Sequence, residues 1–373
     1  MNTHSGAATL KVSLESLASV HEEWAALADR LDASPFQTAG WTSAWWSAFG
    51  RGRLSVLTVR RGGELAALLP VAERAGALIS PTNWHTAVNG PLAADRDAET
   101  AIYREMVAIG VRRIDISALP SSHASLLADV LREKGYQAEA RVIQRSPYLP
   151  IEGDWDSYWS CRSRRLRASI RRSRERLAEL GEVTVAVSNG VEGLDELLAE
   201  GFEIESRGWK GQEGTAITSR PETLKFYSEL ARYARGRGIL CLAFLRVDGR
   251  AVAFHFSLES GGHHYGLKMG HDPELDHASP AKVLTASMVE RAFRLGLRTY
   301  EFLGAADPYK LRWTNLCHER VRVQAFAPTL AGWADRMLQV WGRSLVRQLL
   351  RRPEQHLSAP AGCHVPPTAT EST

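Results

Sequence analysis

The chain has 373 residues, 44% of them hydrophobic and 24% charged, with a formal net charge of +4. That is a soluble globular composition, long enough for two ordinary domains, and its basic surplus is too small for a dedicated nucleic-acid binder. No window reaches the ~18 apolar residues of a membrane span, and the N-terminus lacks the apolar core of a signal peptide, so the expected location is the cytoplasm.

Val20, Trp24, Leu27 and Leu31 recur at helical spacing and predict a helix over residues 17–31. Ser34-Pro35 breaks it, and residues 41–49 read as a short aromatic helix. Residues 54–59 and 65–71 read as two strands around a Gly-Gly hairpin turn. Residues 83–92 are irregular, with Gly90-Pro91 as punctuation. A helix over 98–109, a strand over 113–117 and a helix over 122–134 capped by Gly135 complete the first half. Ser146-Pro147-Tyr148-Leu149-Pro150 reads as a linker.

The second half predicts a long helix over 162–180, a strand over 183–187 and helices over 191–206 and 221–235. Three strands, 239–247, 251–258 and 263–269, are joined by Asp248-Gly249 and Ser260-Gly261-Gly262 turns, an antiparallel meander. A helix over 279–295 and a strand over 299–303 follow. Apolar residues flanked by arginines predict a terminal basic amphipathic helix over 331–352, and a disordered tail follows over 353–373.

Ser279 at an N-cap followed by Pro280 is a strong helix start. A helix N-terminus behind a strand is an anion site, and Lys282 adds a cation where the dipole disfavours one unless an anion is bound. An ordinary capped helix with a solvated lysine is the plainer alternative. Residues 162–176 hold eight arginines and one glutamate beside an apolar stripe of Leu166, Ile170, Ser173 and Leu177. That face could hold phosphates, an anionic lipid surface or RNA, or stand solvated. The four cysteines (Cys161, Cys241, Cys317, Cys363) stand far apart, and no HxxH or HExxH spacing occurs, so no metal is expected. There is no GxSxG, P-loop or GxGxxG. Asp307, Tyr309, Lys310, Arg312 and Trp313 crowd the turn after the strand that ends at Gly304, where open α/β sheets bind ligands. The alternative for that cluster is structural: Lys310 and Arg312 paired with Glu301 and Asp307, and Trp313 packed.

Taken in succession, the arginine-rich helix, Glu205-Ser-Arg-Gly-Trp-Lys, the meander, Gly270-His-Asp-Pro, Ser279-Pro-Ala-Lys and Glu301-Phe-Leu-Gly…Tyr309-Lys-Leu-Arg-Trp resemble the GNAT-superfamily acetyltransferases of the cellulose-biosynthesis-associated group (CelD-like, BioF2-like). Phe36-Gln-Thr…Trp41, Ala67-Leu-Leu-Pro70 and Leu119-Pro120 extend the resemblance into the first half, so that it covers residues 10–330. It implies an α+β fold of two tandem GNAT-like lobes, as in Fem-type aminoacyltransferases, each a mixed, mainly antiparallel sheet flanked by helices. Residues 1–150 would be a degenerate lobe shaping the acceptor cleft, and 151–330 the acyltransferase lobe. Its strands 263–269 and 299–303 would splay apart around the donor's pantetheine arm.

The resemblance further implies acetyl-CoA or another acyl-CoA as donor, its pyrophosphate meeting His271, Asp272, Ser279, Ala281 and Lys282. The usual Gln/Arg-x-x-Gly-x-Gly/Ala phosphate loop is replaced here by Asp272-Pro…Ser279-Pro. Transfer would go directly to an amine or hydroxyl of a small-molecule or glycan-precursor acceptor, in envelope or exopolysaccharide metabolism. Glu301 or Asp307 would take the proton, and Tyr309 or Lys310 would orient the acceptor. Glu205, Trp209, His255, Tyr265, Lys268, Arg312 and Trp313 would line its site. The rivals are a tRNA-dependent aminoacyltransferase, a non-catalytic accessory protein of polysaccharide synthesis, and a weak membrane-surface contact through 333–352, for which a packed terminal helix is the plainer explanation. DNA is not an expected partner.

Overall fold

The computed structural model describes residues 10–208 and 213–339; Trp209 and residues 340–373, which include most of the expected terminal helix and the whole tail, lie outside the described residues. In chain order the first half is β1 (Leu10–Glu15), α1 (Leu17–Arg30), α2 (Ala39–Phe49), β2 (Arg53–Arg61), β3 (Glu64–Arg74), β4 (Ala77–Ile79), β5 (Leu92–Ala93), α3 (Arg96–Ala108), β6 (Arg113–Pro120), α4 (Ser121–Glu133) and β7 (Gln137–Pro150). The second is α5 (Trp155–Ser160), α6 (Arg164–Ala178), β8 (Val183–Ser188), α7 (Leu194–Arg207), α8 (Pro221–Gly236), β9 (Leu240–Val247), β10 (Arg250–Ser260), β11 (His263–His271), α9 (Pro280–Arg294), β12 (Thr299–Glu301) and β13 (Cys317–Phe326).

The fold is the expected α+β architecture, and its strands form one sheet in the order β1-β2-β3-β4-β6-β13-β7-β12-β11-β10-β9-β8. All neighbours are antiparallel except two pairs, β4 with β6 and β11 with β12. One parallel pair thus falls in each half, a repeat of plan that periodicity alone does not expose. The halves also exchange strands. β7 leaves the first half and pairs with β12 through Tyr148, Leu149 and Pro150. β13, from the end of the second half, lies between β6 and β7.

This corrects the linker expected over residues 146–150, which is the last stretch of a 14-residue strand. Pro147 and Pro150 read as punctuation because they lack an N–H. Here the carbonyl side serves instead, and the Pro147 carbonyl accepts from Phe302 N at 3.1 Å.

A second bond between the halves is hydrophobic. Phe36, Trp41, Ala44 and Trp45 from the first half share a core with Phe202 of α7, Phe226 and Leu230 of α8, and Phe254 and Phe256 of β10. Trp41 meets Phe226 edge-on at 5.3 Å. Burial of such aromatics dominates interface energetics. The short aromatic helix α2 is therefore the clasp between the lobes.

Candidate functional site

The meander β9-β10-β11 brings the second half's sheet to β12, and there the sheet opens. β11 and β12 pair at His263–Thr299, His264–Tyr300 and Tyr265–Glu301, and no further register pair joins them. A bulge helps to turn β11 away: Phe256 pairs with Lys268 and Ser257 with Gly266, leaving Leu267 unopposed. Between the separating chains lies a cavity of about 670 Å³. Gly266–His271 form one wall, Phe302–Ala305 the other, and Ala281 and Thr285 of α9 stand at the end. The splay expected between these two strands is therefore present.

The first half's parallel pair is filled where the second is open. Past Ile79, Ser80 N donates to Asp115 O (3.1 Å) and Ser117 N donates to Ser80 Oγ (3.0 Å). Asn89 then bonds Ala118 O through its backbone N (2.9 Å) and Ser117 O through its amide (3.2 Å). The segment between Ser80 and Asn89 instead reaches the second half's cavity, where Trp84, His85, Thr86 and Ala87 line it.

On that side the cavity is aromatic and charged. The Lys268 ammonium lies 3.6 Å from Glu205 Oε1, 4.6 Å from the Trp84 ring centroid and 5.6 Å from that of Tyr227. Glu205 also accepts from Ile217 N at 2.7 Å. His85 Nδ1 meets the Tyr227 hydroxyl at 3.2 Å, and its Nε2 is buried without a hydrogen-bond partner. Burial, then the charges of Lys268 and Arg220, push the His85 imidazole down to a pKa of about 3, so it is neutral throughout the physiological range. His255 sits deeper and faces the Thr285 hydroxyl at 3.4 Å. That hydroxyl donates to Ala281 O at 2.8 Å, so it is the acceptor of the His255 Nε2–H.

At the α9 end the field is positive. Lys282 bonds Ser169 Oγ of α6 at 3.0 Å. Its pKa is lowered by burial and then by the charges of Arg312, Arg172 and Arg176. Cations that depress one another in this way mark a place where an anion would be favoured. The helix start behind it differs from expectation. Ser279 sits in the left-handed region (φ 52°) and does not cap α9; its hydroxyl faces Asp276 O at 3.3 Å.

Of the residues expected at a site, Glu205, His255, Lys268, His271, Ala281, Asp307, Tyr309 and Lys310 line the cavity. Others have different places. Asp272 is buried, paired with Arg250 and Arg207 (3.7 Å to the latter), and accepts from Glu274 N. Glu301 lies off the cavity wall, with Oε1 accepting from the Thr299 hydroxyl at 3.0 Å. Tyr265 is a core residue, edge-on to Phe36 at 5.4 Å. Trp313 is buried, and its carbonyl accepts from Tyr158 OH and Arg162, each at 2.8 Å. Arg312 is exposed and contributes only to the charge around Lys282. Residues 84–87, Tyr227 and Thr285 were missed, because an irregular loop and two helix interiors carry no motif.

Lys310 also changes role. Its ammonium donates to Leu303 O (2.9 Å) and Ala305 O (3.0 Å) and pairs with Asp307 (2.9 Å), so all its donors are spent on the loop that forms one cavity wall. Orienting an acceptor would cost it one of these bonds. Lys310→Ala should therefore lower stability by about 2–4 kcal/mol, the loss of two or more charge-assisted bonds. A denaturant midpoint measures it, and an unchanged midpoint with lost turnover would restore the catalytic assignment.

Among the described residues, Cys241, Glu259 and His264 alone have spacing suited to a metal. Within that group Glu259 Oε1 is already bonded by His264 and by the Arg291 guanidinium. Burial pushes the Glu259 carboxyl up, but His264 and Arg291 outweigh it and hold its pKa at about 2. Burial and then the Glu259 charge raise the Cys241 thiol above its ordinary range.

Residues 164–311 match the family model described as the acetyltransferase (GNAT) domain. The solved structure of FemX is similar over 84% of this chain and 96% of its own, at 13% identity and a TM-score of 0.58. The C-terminal domain of a putative lysylphosphatidylglycerol synthetase from Agrobacterium fabrum is similar over 89% of this chain and 97% of its own, at 14% identity and a TM-score of 0.54. These likenesses concern the fold. No curated protein matches the chain. The matched segment runs from α6 to the Lys310 loop and so contains both walls of the cavity.

Proposed function

We propose that the protein transfers an acyl group, acetyl in the simplest case, from a CoA thioester to an amine or hydroxyl acceptor. The observation that carries this reading is the divergence of β11 and β12, with a cavity in the gap and a cation cluster at its α9 end. A pantetheine arm is an extended chain with two amides, suited to the strand edge that β12 vacates. The donor's phosphates would reach Lys282, Arg172, Arg176 and Arg312. The acceptor would enter beside Trp84 and His85.

Direct transfer fits the wall, since no serine or cysteine is among the described lining residues. The acceptor nitrogen or oxygen adds to the thioester carbonyl carbon, and backbone N–H groups of the opened strands stabilise the oxyanion. The C–S bond then breaks, and the sulfur departs as a thiolate that takes up the proton removed from the acceptor. Glu205 takes the acceptor's proton, because its 3.6 Å contact with Lys268 is looser than the 2.9 Å pair of Asp307 with Lys310, and Glu301 is off the wall. The resemblance to cellulose-associated acetyltransferases supports an envelope or exopolysaccharide precursor as acceptor, met in the cytoplasm. Among the described residues no helix is long and apolar enough to cross a membrane.

Calorimetry with acetyl-CoA and longer thioesters tests the donor. Lys282→Glu and Arg172→Glu should each weaken binding by ~1–3 kcal/mol, the scale of a lost charge-assisted contact. Unchanged affinity in both variants would remove the phosphates from this end. One observation favours a second reading, an aminoacyl-tRNA donor: the exposed Arg164, Arg165, Arg167 and Arg171 extend the basic face of α6. That reading requires tight tRNA binding that falls steeply with salt. Absence of binding to either donor would favour a non-catalytic accessory role.

A further inference from the structure

Residues 330–339 are helical, and the helix lies on the first half with its sides reversed from those of an ordinary surface helix. Its polar side faces the protein. Asp335 is buried and pairs with Arg113 at 2.9 Å and Arg112 at 3.4 Å, and Arg336 donates to the Gln137 side chain at 2.6 Å. Gly332 fixes the approach, since a Cβ there would stand 2.2 Å from Ala327 O. Its apolar side faces outward: Leu330, Trp333 and Leu338 are 89%, 58% and 73% exposed. With Ala334 and Met337 between them, these positions make one stripe at three- and four-residue spacing. An outward apolar stripe held in place by an inward ion pair is out of keeping with a helix meant only for water.

We infer that this stripe is a docking face for an anionic lipid surface, on which the protein lies without crossing it. The sequence argues for lipid over a second copy. Beyond residue 339 the same spacing continues in Trp341, Leu345 and Leu349, and Arg343, Arg347, Arg351 and Arg352 accompany it with no acidic residue before Glu354. Arginine beside tryptophan and leucine complements anionic headgroups over an acyl boundary. Repeated arginines of one sign would repel their own copies across a two-fold interface.

Co-sedimentation of the full chain with vesicles tests the inference. Binding is expected to phosphatidylcholine vesicles that contain phosphatidylglycerol, to be far weaker on phosphatidylcholine alone, and to fall with added salt. Trp333→Glu with Leu338→Glu should reduce the bound fraction about tenfold or more, the loss of two inserted apolar side chains. Both side chains are exposed, so the melting temperature should hold. Absence of binding, equal binding to neutral vesicles, or binding unchanged in the double variant would overturn the inference. So would a dimer in sedimentation that this variant dissociates, or a fall in its melting temperature, which would put a second copy or the chain's own terminus on the stripe.

Discussion

Gly270→Ala should be among the most damaging single-methyl changes available in the second half. Gly270 sits on β11 opposite Phe254, beside the cavity. A Cβ built there would stand 2.4 Å from Glu205 Cα, 2.8 Å from its Cβ and 2.9 Å from its backbone N. Those are helix atoms, so α7 itself must move, since no side-chain rotation relieves the contact. Overpacking of a well-filled core costs typically 1–3 kcal/mol, and rigid backbone on both sides places this case at about 3 kcal/mol. The displacement would also carry Glu205 away from Lys268. Gly266→Ala is the control on the same strand, because its Cβ meets nothing closer than Glu301 O at 3.6 Å, an ordinary contact. A denaturant midpoint that falls for Gly270→Ala and holds for Gly266→Ala is the expected result. Equal midpoints would mean that α7 yields freely, and the close approach would lose its role in setting the cavity.

What could be read in the chain follows from how each feature is encoded. The meander and its turns are local, carried by Asp248-Gly249 and Gly261-Gly262, and the strands lie where alternation and turn chemistry put them. α6 announces itself by Leu166, Ile170 and Leu177 on one side and arginines elsewhere. The strand exchange is not local. β7 reads as a strand only once β12 and β13 are its neighbours, because its prolines suppress the signal and many of its side chains are exposed. β4, with three residues, is too short to leave a period. The site shows the same division. Glu205 and Lys268 enter through the family resemblance alone, and their meeting depends on Gly270, whose missing side chain lets two elements touch. Lys310 looked catalytic because a lysine after a strand end is chemically conspicuous. Nothing in the sequence could show that two carbonyls and Asp307 already take up its protons. Trp84 and His85 belong to a loop of the lobe expected to be degenerate, and only tertiary structure brings them to the other lobe's cavity.

Lys268→Met should cost about 2–3 kcal/mol, the scale of a lost charged contact, because it takes away the ammonium that lies 3.6 Å from the buried Glu205 carboxylate. The side chains are 7% and 0% exposed, so water compensates neither charge. Glu205→Gln alone should also destabilise, by taking the carboxylate away from the ammonium, although cation–π attraction to Trp84 and Tyr227 offsets part of that loss. The double variant, Lys268→Met with Glu205→Gln, removes both charges and should recover much of the stability. The coupling from such a cycle should be on the order of 2–3 kcal/mol. Turnover separates a structural pair from a catalytic one. If Glu205 serves only to neutralise Lys268, the double variant regains activity along with stability. If Glu205 takes the acceptor's proton, the double variant is stable yet slow, with turnover down ~10²–10⁴-fold, the contribution of a positioned base. Recovery of both stability and turnover would remove Glu205 from the reaction. The expected outcome is recovered stability with turnover still lost, since Glu205 lines the cavity that the gap between β11 and β12 opens to the thioester.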